Sequence, residues 1–78
     1  MLKRLVDFKI GETGLIKKVE GEGRFRRRLL DMGVTPNTTV YLRKKAPFGD
    51  PLEITIRGYE LTLRKSEAEL IVLEVEDK

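Results

Sequence analysis

One segment, residues 46–63, constrains the fold of this chain more than any other part of its sequence. It contains two runs of alternating apolar residues, which are Leu52, Ile54 and Ile56, then Leu61 and Leu63. Because successive side chains of a strand point to opposite faces, a period of two is typical of strands with one face buried. The segment therefore predicts two half-buried antiparallel strands in the middle of the protein.

Proline and glycine residues indicate where the turns of this segment lie. Proline fixes φ near the value that tight turns need, and glycine supplies positive φ at no steric cost. The predicted turn residues are Pro47, Gly49, Pro51 and Gly58. Three further strands are predicted from alternation, over residues 15–20, residues 38–43 and residues 71–75.

A short helix is predicted between the first two of these strands, over residues 24–32. Phe25, Leu29 and Met32 are spaced as i, i+4 and i+7, which places them on one face of a helix. The glycine that follows, Gly33, is predicted to end the helix in the left-handed C′ conformation.

Two other local signals complete the pattern. Pro36 prevents the helix from resuming after Gly33, because proline lacks an N–H and clashes with the preceding turn. Ser66 begins a Ser-x-x-Glu sequence, which is typical of a capped helix start, and it predicts one helical turn before the last strand.

Together these elements predict a mostly β fold, namely a small, partly open SH3-like barrel. It would contain about five strands, one short inserted α-helix, and a helical or 3₁₀ turn before the last strand. We expect a single domain over residues 1–78, with a disordered tail limited to residues 76–78. A chain of this length buries about 60% of its unfolded surface, which leaves no room for a deep catalytic cleft beside a core.

The composition excludes several classes of function. Cysteine and histidine are both absent, so the chain offers no disulfide, no Cys-His or Ser-His catalytic pair, and no zinc site of nitrogen and sulfur ligands. We expect no enzyme activity, no cofactor and no resident metal. The apolar residues are too dispersed for a membrane span, and Asp7 and Lys9 interrupt any signal-peptide run, which predicts a cytoplasmic protein.

The predicted helix carries the densest positive charge in the chain. Arg24, Arg27 and Arg28 lie opposite its apolar face and form a candidate basic surface. Arginine suits phosphate and carboxylate recognition because its planar fork donates two parallel hydrogen bonds. The alternative is a solvated helix face with no ligand. No stacking pattern of aromatic residues accompanies the arginines, which disfavours binding of single-stranded nucleic acid.

Three residues are candidates for partner contact. Leu30 lies far around the helix from the apolar face, on the side of Arg26, so this pair is either a contact site or packs beneath a neighbouring loop. Phe48 lies at the tip of the Pro-Gly-Asp-Pro loop, where an aromatic ring either binds a partner or folds over the end of the hairpin.

An ordered set of short motifs extends over nearly the whole chain. It consists of Leu5, residues 11–14 (Gly-Glu-Thr-Gly), Ile16, residues 28–36 (Arg-Leu-Leu-Asp-Met-Gly-Val-Thr-Pro), residues 46–51 (Ala-Pro-Phe-Gly-Asp-Pro) and residues 61–64 (Leu-Thr-Leu-Arg). In the order and spacing of these motifs the sequence resembles the FeoA family of small cytoplasmic proteins of bacterial ferrous-iron uptake. Asn37 departs from the family, which usually has glycine there, but asparagine tolerates the same left-handed backbone.

The resemblance implies an SH3-like fold and a role as an accessory protein that docks on FeoB, the membrane iron permease with a cytosolic GTP-binding domain. It leaves open whether such a protein is an assembly factor, a gate or a GTPase regulator. FeoA-like domains also end many iron-dependent repressors, so a nucleic-acid or regulator module is the alternative. We expect no nucleic acid partner, membrane recruitment only through FeoB, and no homodimer, although an open barrel edge permits one.

Overall fold

The structure, a computed structural model, describes residues 1–76; the last two residues of the expected tail lie outside this range. Among these residues, neither helix has the length and apolar character that crossing a bilayer requires. The strands and helices are β1 (Leu2–Arg4), β2 (Thr13–Val19), α1 (Gly23–Asp31), β3 (Thr39–Lys45), β4 (Leu52–Ile56), β5 (Tyr59–Leu63), α2 (Lys65–Ala68) and β6 (Ile71–Glu74).

The strands form one antiparallel sheet in the order β1-β6-β2-β3-β4-β5. The sheet is not closed, since β1 and β5 are its two ends, and the mostly β fold class is confirmed. The sixth strand is β1, which the sequence did not reveal because Leu2-Lys3-Arg4 is too short to show alternation. Strand β1 leads directly into a 3₁₀ turn, Leu5–Asp7. The apolar residues of the N-terminal segment 2–8 are spaced more like those of a helix than like those of a strand.

The core lies where the alternating strands predicted it. Leu52, Ile54 and Ile56 are at most 1% exposed along β4, and the intervening residues of this strand are half-buried. The buried apolar cluster is completed by residues of β2, β3, β5 and β6, of both helices, and of the segments that adjoin them, namely Leu5, Phe8, Ile16, Val19, Leu29, Val34, Val40, Leu42, Leu63, Ala68, Ile71, Leu73 and Val75.

Helix α1 packs through a different face from the one predicted. Leu29 is fully buried, but Phe25 is 66% exposed, so the prediction that Phe25 shares the core face is wrong. The helix is instead rotated toward Arg26, whose Nε donates to the carbonyl oxygen of Val19 at 3.1 Å. This hydrogen bond ties an otherwise exposed arginine of α1 to β2.

The end of α1 confirms the predicted role of Gly33. Its φ is +91°, and its N–H donates to the Leu30 carbonyl at 3.0 Å. The N–H of Val34 donates to the Leu29 carbonyl at 3.0 Å, which completes a Schellman motif. Beyond Pro36, Asn37 has a φ of +69°, the left-handed conformation that the sequence permitted.

The N-cap of helix α2 lies two residues before the predicted one. Ser66 lies inside the helix, so its assignment as the N-cap is wrong; Arg64 holds that position. The buried Glu67 accepts from the Arg64 N–H through Oε1 at 2.9 Å, which is the carboxylate half of a capping box shifted by two residues.

The N-terminal segment is attached to the sheet by ion pairs as well as by backbone pairing with β6. Lys3 Nζ lies 2.9 and 3.0 Å from the two carboxylate oxygens of Glu12, and Arg4 pairs with Glu20. The lysine hydrogen bond, followed by one from the Lys9 N–H, lowers the pKa of Glu12. Arg4 lowers the pKa of Glu20 in the same way.

Candidate docking surface

A shallow groove of about 460 Å³ separates helix α1 from the outer strand of the sheet. Helix α1 supplies Arg28 on one side, β5 supplies Thr62 and Leu63, and the loop before β4 supplies Asp50 and Pro51. Arg64 and Glu67, at the start of α2, close the end of the groove. The structure therefore places the basic helix next to the Pro-Gly loop, which the sequence had treated as separate features.

Phe48 lies in the same loop, two residues before the groove residue Asp50. Its side chain is 97% exposed, and the alternative in which the ring folds over the hairpin is not observed. Its φ is +66°, a left-handed conformation that is unfavourable for a bulky residue. An exposed ring contributes little burial to the fold, so Phe48 remains a candidate for contact with a partner.

The predicted basic surface splits between two sides of α1. All three of its arginines are exposed, and none takes part in the ion pairs found among residues 1–76. With about 100° of rotation per residue, Arg24 and Arg28 lie within about 40° of each other, whereas Arg27 lies about 100° from Arg28. Arg28 borders the groove, Arg24 lies one turn before it on the same side of α1, and Arg27 lies on another side.

Phe25 joins this surface, and sequence reasoning missed it. It lies about 60° around the helix from Arg28 and is mostly exposed. A signal was present, because Phe25 lies between two arginines in the first turn of the helix. The helical spacing alone placed it in the core.

The acidic and basic side chains of the groove differ in their hydrogen-bond partners. Asp50 accepts from the Lys65 N–H through Oδ1 at 3.2 Å, and Glu67 accepts from the Arg64 N–H. Both carboxylates are therefore engaged with the backbone at the start of α2. The guanidinium groups of Arg28 and Arg64 belong to none of the ion pairs within the described chain, so the groove combines two carboxylates held by backbone amides with two arginines that have no ion partner there.

Arg26 and Leu30 each make a contact within the fold, and the predicted contact of this pair with a partner stays a prediction. Arg26 is anchored to β2, and Leu30 is half-buried and packs against the core. Leu30 follows Arg26 by one turn, so both lie on the same side of α1, with Arg26 exposed and Leu30 half-buried. They support the position of the helix, while Phe48, Phe25 and the outer arginines form the accessible surface.

Arg57, at the turn between β4 and β5, is also engaged within the fold. Its Nη2 donates to Thr35 Oγ1 at 2.7 Å and to Thr38 Oγ1 at 3.0 Å, and Tyr59 OH donates to the Met32 carbonyl. The turn of the second hairpin is thereby clamped to the loop that follows α1. Among residues 1–76, no three side chains of the types that ligate metals lie close enough to hold an ion.

Comparison with known proteins gives the same assignment from sequence and from structure. A family model described as the FeoA domain matches residues 3–75. A fusion protein of Porphyromonas gingivalis that joins Fe(2+) transport protein A to the Fe(2+) transporter FeoB is 36% identical over 72 residues. That match spans 92% of this chain and only 8% of the fusion protein.

Two solved structures superpose along almost the whole chain. A FeoA-like protein of Clostridium acetobutylicum is 38% identical with a TM-score of 0.89, covering 99% of this chain and 90% of that one. FeoA of Stenotrophomonas maltophilia, described as a procaryotic SH3 domain protein, is 24% identical with a TM-score of 0.80, covering 92% and 89%. The SH3-like architecture predicted from the sequence is confirmed.

Proposed function

This chain belongs to the FeoA family of ferrous-iron transport proteins, and we propose that it is a non-catalytic accessory protein that docks on a FeoB-type transporter. In this proposal it acts on the cytoplasmic side of the membrane, is recruited there by its partner, and modulates the partner's GTP-binding domain. The contact surface is formed by Phe48 with Arg24, Phe25 and Arg28 of α1.

The choice of FeoB as the partner rests on the fusion protein of Porphyromonas gingivalis. There a domain similar to this chain is covalently joined to the transporter FeoB. Fusion holds two modules at a high effective concentration, which favours contact between them even when the contact is weak. The same contact between separate chains requires a dedicated surface.

The observation that supports this surface is the exposure of Phe48. A phenylalanine ring that is 97% exposed can bury a large apolar area on a partner, and it has only two side-chain torsions to immobilise. Arginines of α1 without ion partners can bind carboxylates of the partner at the rim of such a contact. The side chains that line the groove do not form an acid–base pair or a nucleophile–base pair.

A binding measurement with Phe48→Gly tests the proposal. Glycine adopts the positive φ of this position without strain, so we expect the free energy of unfolding to stay within about 1 kcal/mol of wild type. Binding to detergent-solubilised FeoB of the same organism, measured by surface plasmon resonance, should weaken by about tenfold or more, as for other central aromatic contacts. GTP hydrolysis by FeoB should lose its response to the chain in parallel.

The matched control is Ile10→Ala, which truncates a second exposed apolar residue in a loop of the same molecule (63% exposed). It should bind FeoB like wild type. Equal binding by Phe48→Gly and wild type would remove Phe48 from the contact surface, and absence of FeoB binding by wild type would refute the docking role. Retention of RNA instead, with steep loss at raised salt, would favour a nucleic-acid module.

A further inference from the structure

We propose that a hollow between the end of β2 and helix α1 binds the dianion of a phosphate monoester. The hollow has a volume of about 540 Å³, and we call it the β2 hollow. Strand β2 and the residue after it supply Lys17, Lys18 and Glu20, α1 supplies Arg26, and the loop before β3 supplies Pro36. This site goes beyond the proposed function, which does not require it.

A β-bulge brings two consecutive lysines to the same side of β2. The pairing of β2 with β6 passes from Ile16 opposite Leu73 to Lys18 opposite Val72, so Lys17 is an extra residue without a partner on β6. Both lysines are exposed, whereas in regular alternation one of them would face the core. Because a bulge redirects the side chains of the strand that carries it, both lysines line one hollow.

Arg26 lines the hollow from the helix, and its guanidinium group is held in place. Its Nε donates to the Val19 carbonyl at 3.1 Å, which uses one of the five N–H donors of the group. The other four, on the two terminal nitrogens, make no hydrogen bond among the described residues. A guanidinium fixed at one nitrogen keeps a fork of donors that binds two oxygens of one phosphate.

The lining of the hollow carries more positive than negative charge. Three cations line it, and Glu20 is its one carboxylate within the described chain. Arg4, which lies outside the lining, pairs with Glu20 and lowers the pKa of that carboxyl group. Lys18 lies 3.8 Å from Glu20, and neither Lys17 nor Arg26 enters an ion pair among residues 1–76.

This charge selects a phosphate monoester among small anions. Three cations against one carboxylate leave an excess of two positive charges, and a phosphate monoester carries about −1.5 to −2 at neutral pH. A carboxylate or a phosphate diester carries one negative charge and would leave part of the excess unbalanced. The volume lies within the range of about 300–1,000 Å³ that is typical of small-ligand sites, so the esterified group has room.

The β2 hollow is separate from the proposed contact with FeoB. Arg26 lies about 160° around α1 from Arg28 and about 100° from Phe25, and the latter two belong to the proposed contact surface. Binding of an anion in the hollow and docking on FeoB are therefore measured independently, and failure of either leaves the other standing.

Titration of the full, isotope-labelled chain with methyl phosphate tests the proposal by NMR. At low salt and about pH 7.5, where the ester is mainly a dianion, we expect saturable shifts of the Lys17, Lys18 and Arg26 signals. We expect a Kd of about 1 mM, which corresponds to a few charge-assisted contacts at an open site. Dimethyl phosphate, a diester with one charge, should bind at least about tenfold more weakly.

Substitutions locate the site. Lys17→Gln and Lys18→Gln should each weaken binding of methyl phosphate by about fivefold or more, because each removes one of the three cations. The matched control is Lys44→Gln, which removes an exposed lysine of β3 and should weaken binding by less than about twofold. Equal binding of the two esters, equal losses in all three variants, or shifts confined to residues outside the hollow would each overturn the proposal.

Vesicles distinguish a lipid headgroup from a free phosphate ester as the source of the ligand. Wild type is sedimented with phosphatidylcholine vesicles that contain phosphatidic acid, a monoester, or an equal fraction of phosphatidylglycerol, a diester. Retention on phosphatidic acid alone, lost in Lys17→Gln, would assign the site to a headgroup. Binding of methyl phosphate without retention would assign it to a free ester. Equal retention on both vesicles, or no response to either ligand, would overturn the proposal.

Discussion

At the scale of single residues, Gly33 combines two demands that no other amino acid meets together. Its φ of +91° is left-handed, and a Cβ at this position would lie 2.6 Å from the hydroxyl oxygen of Tyr59. That hydroxyl donates to the Met32 carbonyl at the end of α1, so it cannot move away without losing a hydrogen bond. Gly33 therefore fixes both the end of the helix and its contact with the second hairpin.

We expect Gly33→Ala to lower the free energy of unfolding by about 2–4 kcal/mol, from left-handed strain of about 1–2 kcal/mol and a steric overlap of similar size. Gly58→Ala is the control, because Gly58 has a φ of +82° but open space around its Cα. It should cost only the strain. Urea denaturation of both variants measures the difference, and equal costs would show that Tyr59 does not limit position 33.

At single positions, the backbone conformation could be predicted from the sequence where only a few residue types adopt that conformation. Gly33 and Asn37 were predictable because left-handed backbone favours very few residues. Phe48 was not, since nothing in the sequence shows that a phenylalanine adopts positive φ, and only the structure shows its ring to be exposed. Ser66 was misplaced because Arg64 takes the cap position through its backbone alone, which leaves no signature in the sequence.

At the scale of elements, the N-terminal segment should be sensitive to acid. The pKa values of Glu12 and Glu20 are lowered in the folded state, by the side-chain hydrogen bonds of Lys3 and Arg4 respectively. A lowered folded pKa means that the stabilisation is fully present above the unfolded value, near pH 4.3, and is lost as the pH falls through the folded value. Amide exchange in β1 should therefore accelerate below about pH 4 before exchange in β4 does.

The variant Lys3→Gln checks this cause. It removes the first contributor to the low pKa of Glu12, so that carboxylate should titrate nearer its ordinary value. The acid-dependent loss of protection in β1 should then be smaller than in wild type. The same acid dependence in Lys3→Gln as in wild type would assign the effect to other carboxylates.

Helix α1 shows why the face of an element is harder to predict than its existence. Its limits and its C-terminal motif followed from Gly33 and the apolar period. Its rotation did not, because the pattern of apolar residues treats arginine as solvent-facing, whereas Arg26 reaches the Val19 carbonyl and holds that side of the helix against β2. Phe25 was displaced to the surface as a result, and Leu30 turned inward.

At the scale of the whole molecule, the sheet depends on its last strand. Strand β6 lies between β1 and β2, and its Ile71 and Leu73 are fully buried. A chain that ends at Leu70 loses these two side chains, worth about 3–6 kcal/mol together, and also separates β1 from the sheet. Since domains are stable by about 5–15 kcal/mol, we expect it to be unfolded, with collapsed amide dispersion in its NMR spectrum.

A chain that ends at Glu76 provides the control and should keep the wild-type spectrum. A dispersed spectrum from the shorter chain would show that residues 1–70 form a core without β6.

The overall fold was largely predictable, because alternation and turn residues specify strands and connections locally. The sheet order was not, because β6 reaches its place between β1 and β2 only through contacts across most of the chain.

The pairing of β1 with β6 has a mechanical consequence. The register sets Leu2 opposite Glu74, so the backbone enters and leaves the domain at neighbouring points of the same edge. Tension applied between these points would open the two strands one hydrogen bond at a time, as a zipper opens, rather than shearing the whole ladder at once. If this domain were inserted into a host protein through both of these points, it would unfold at low force while the host stayed folded.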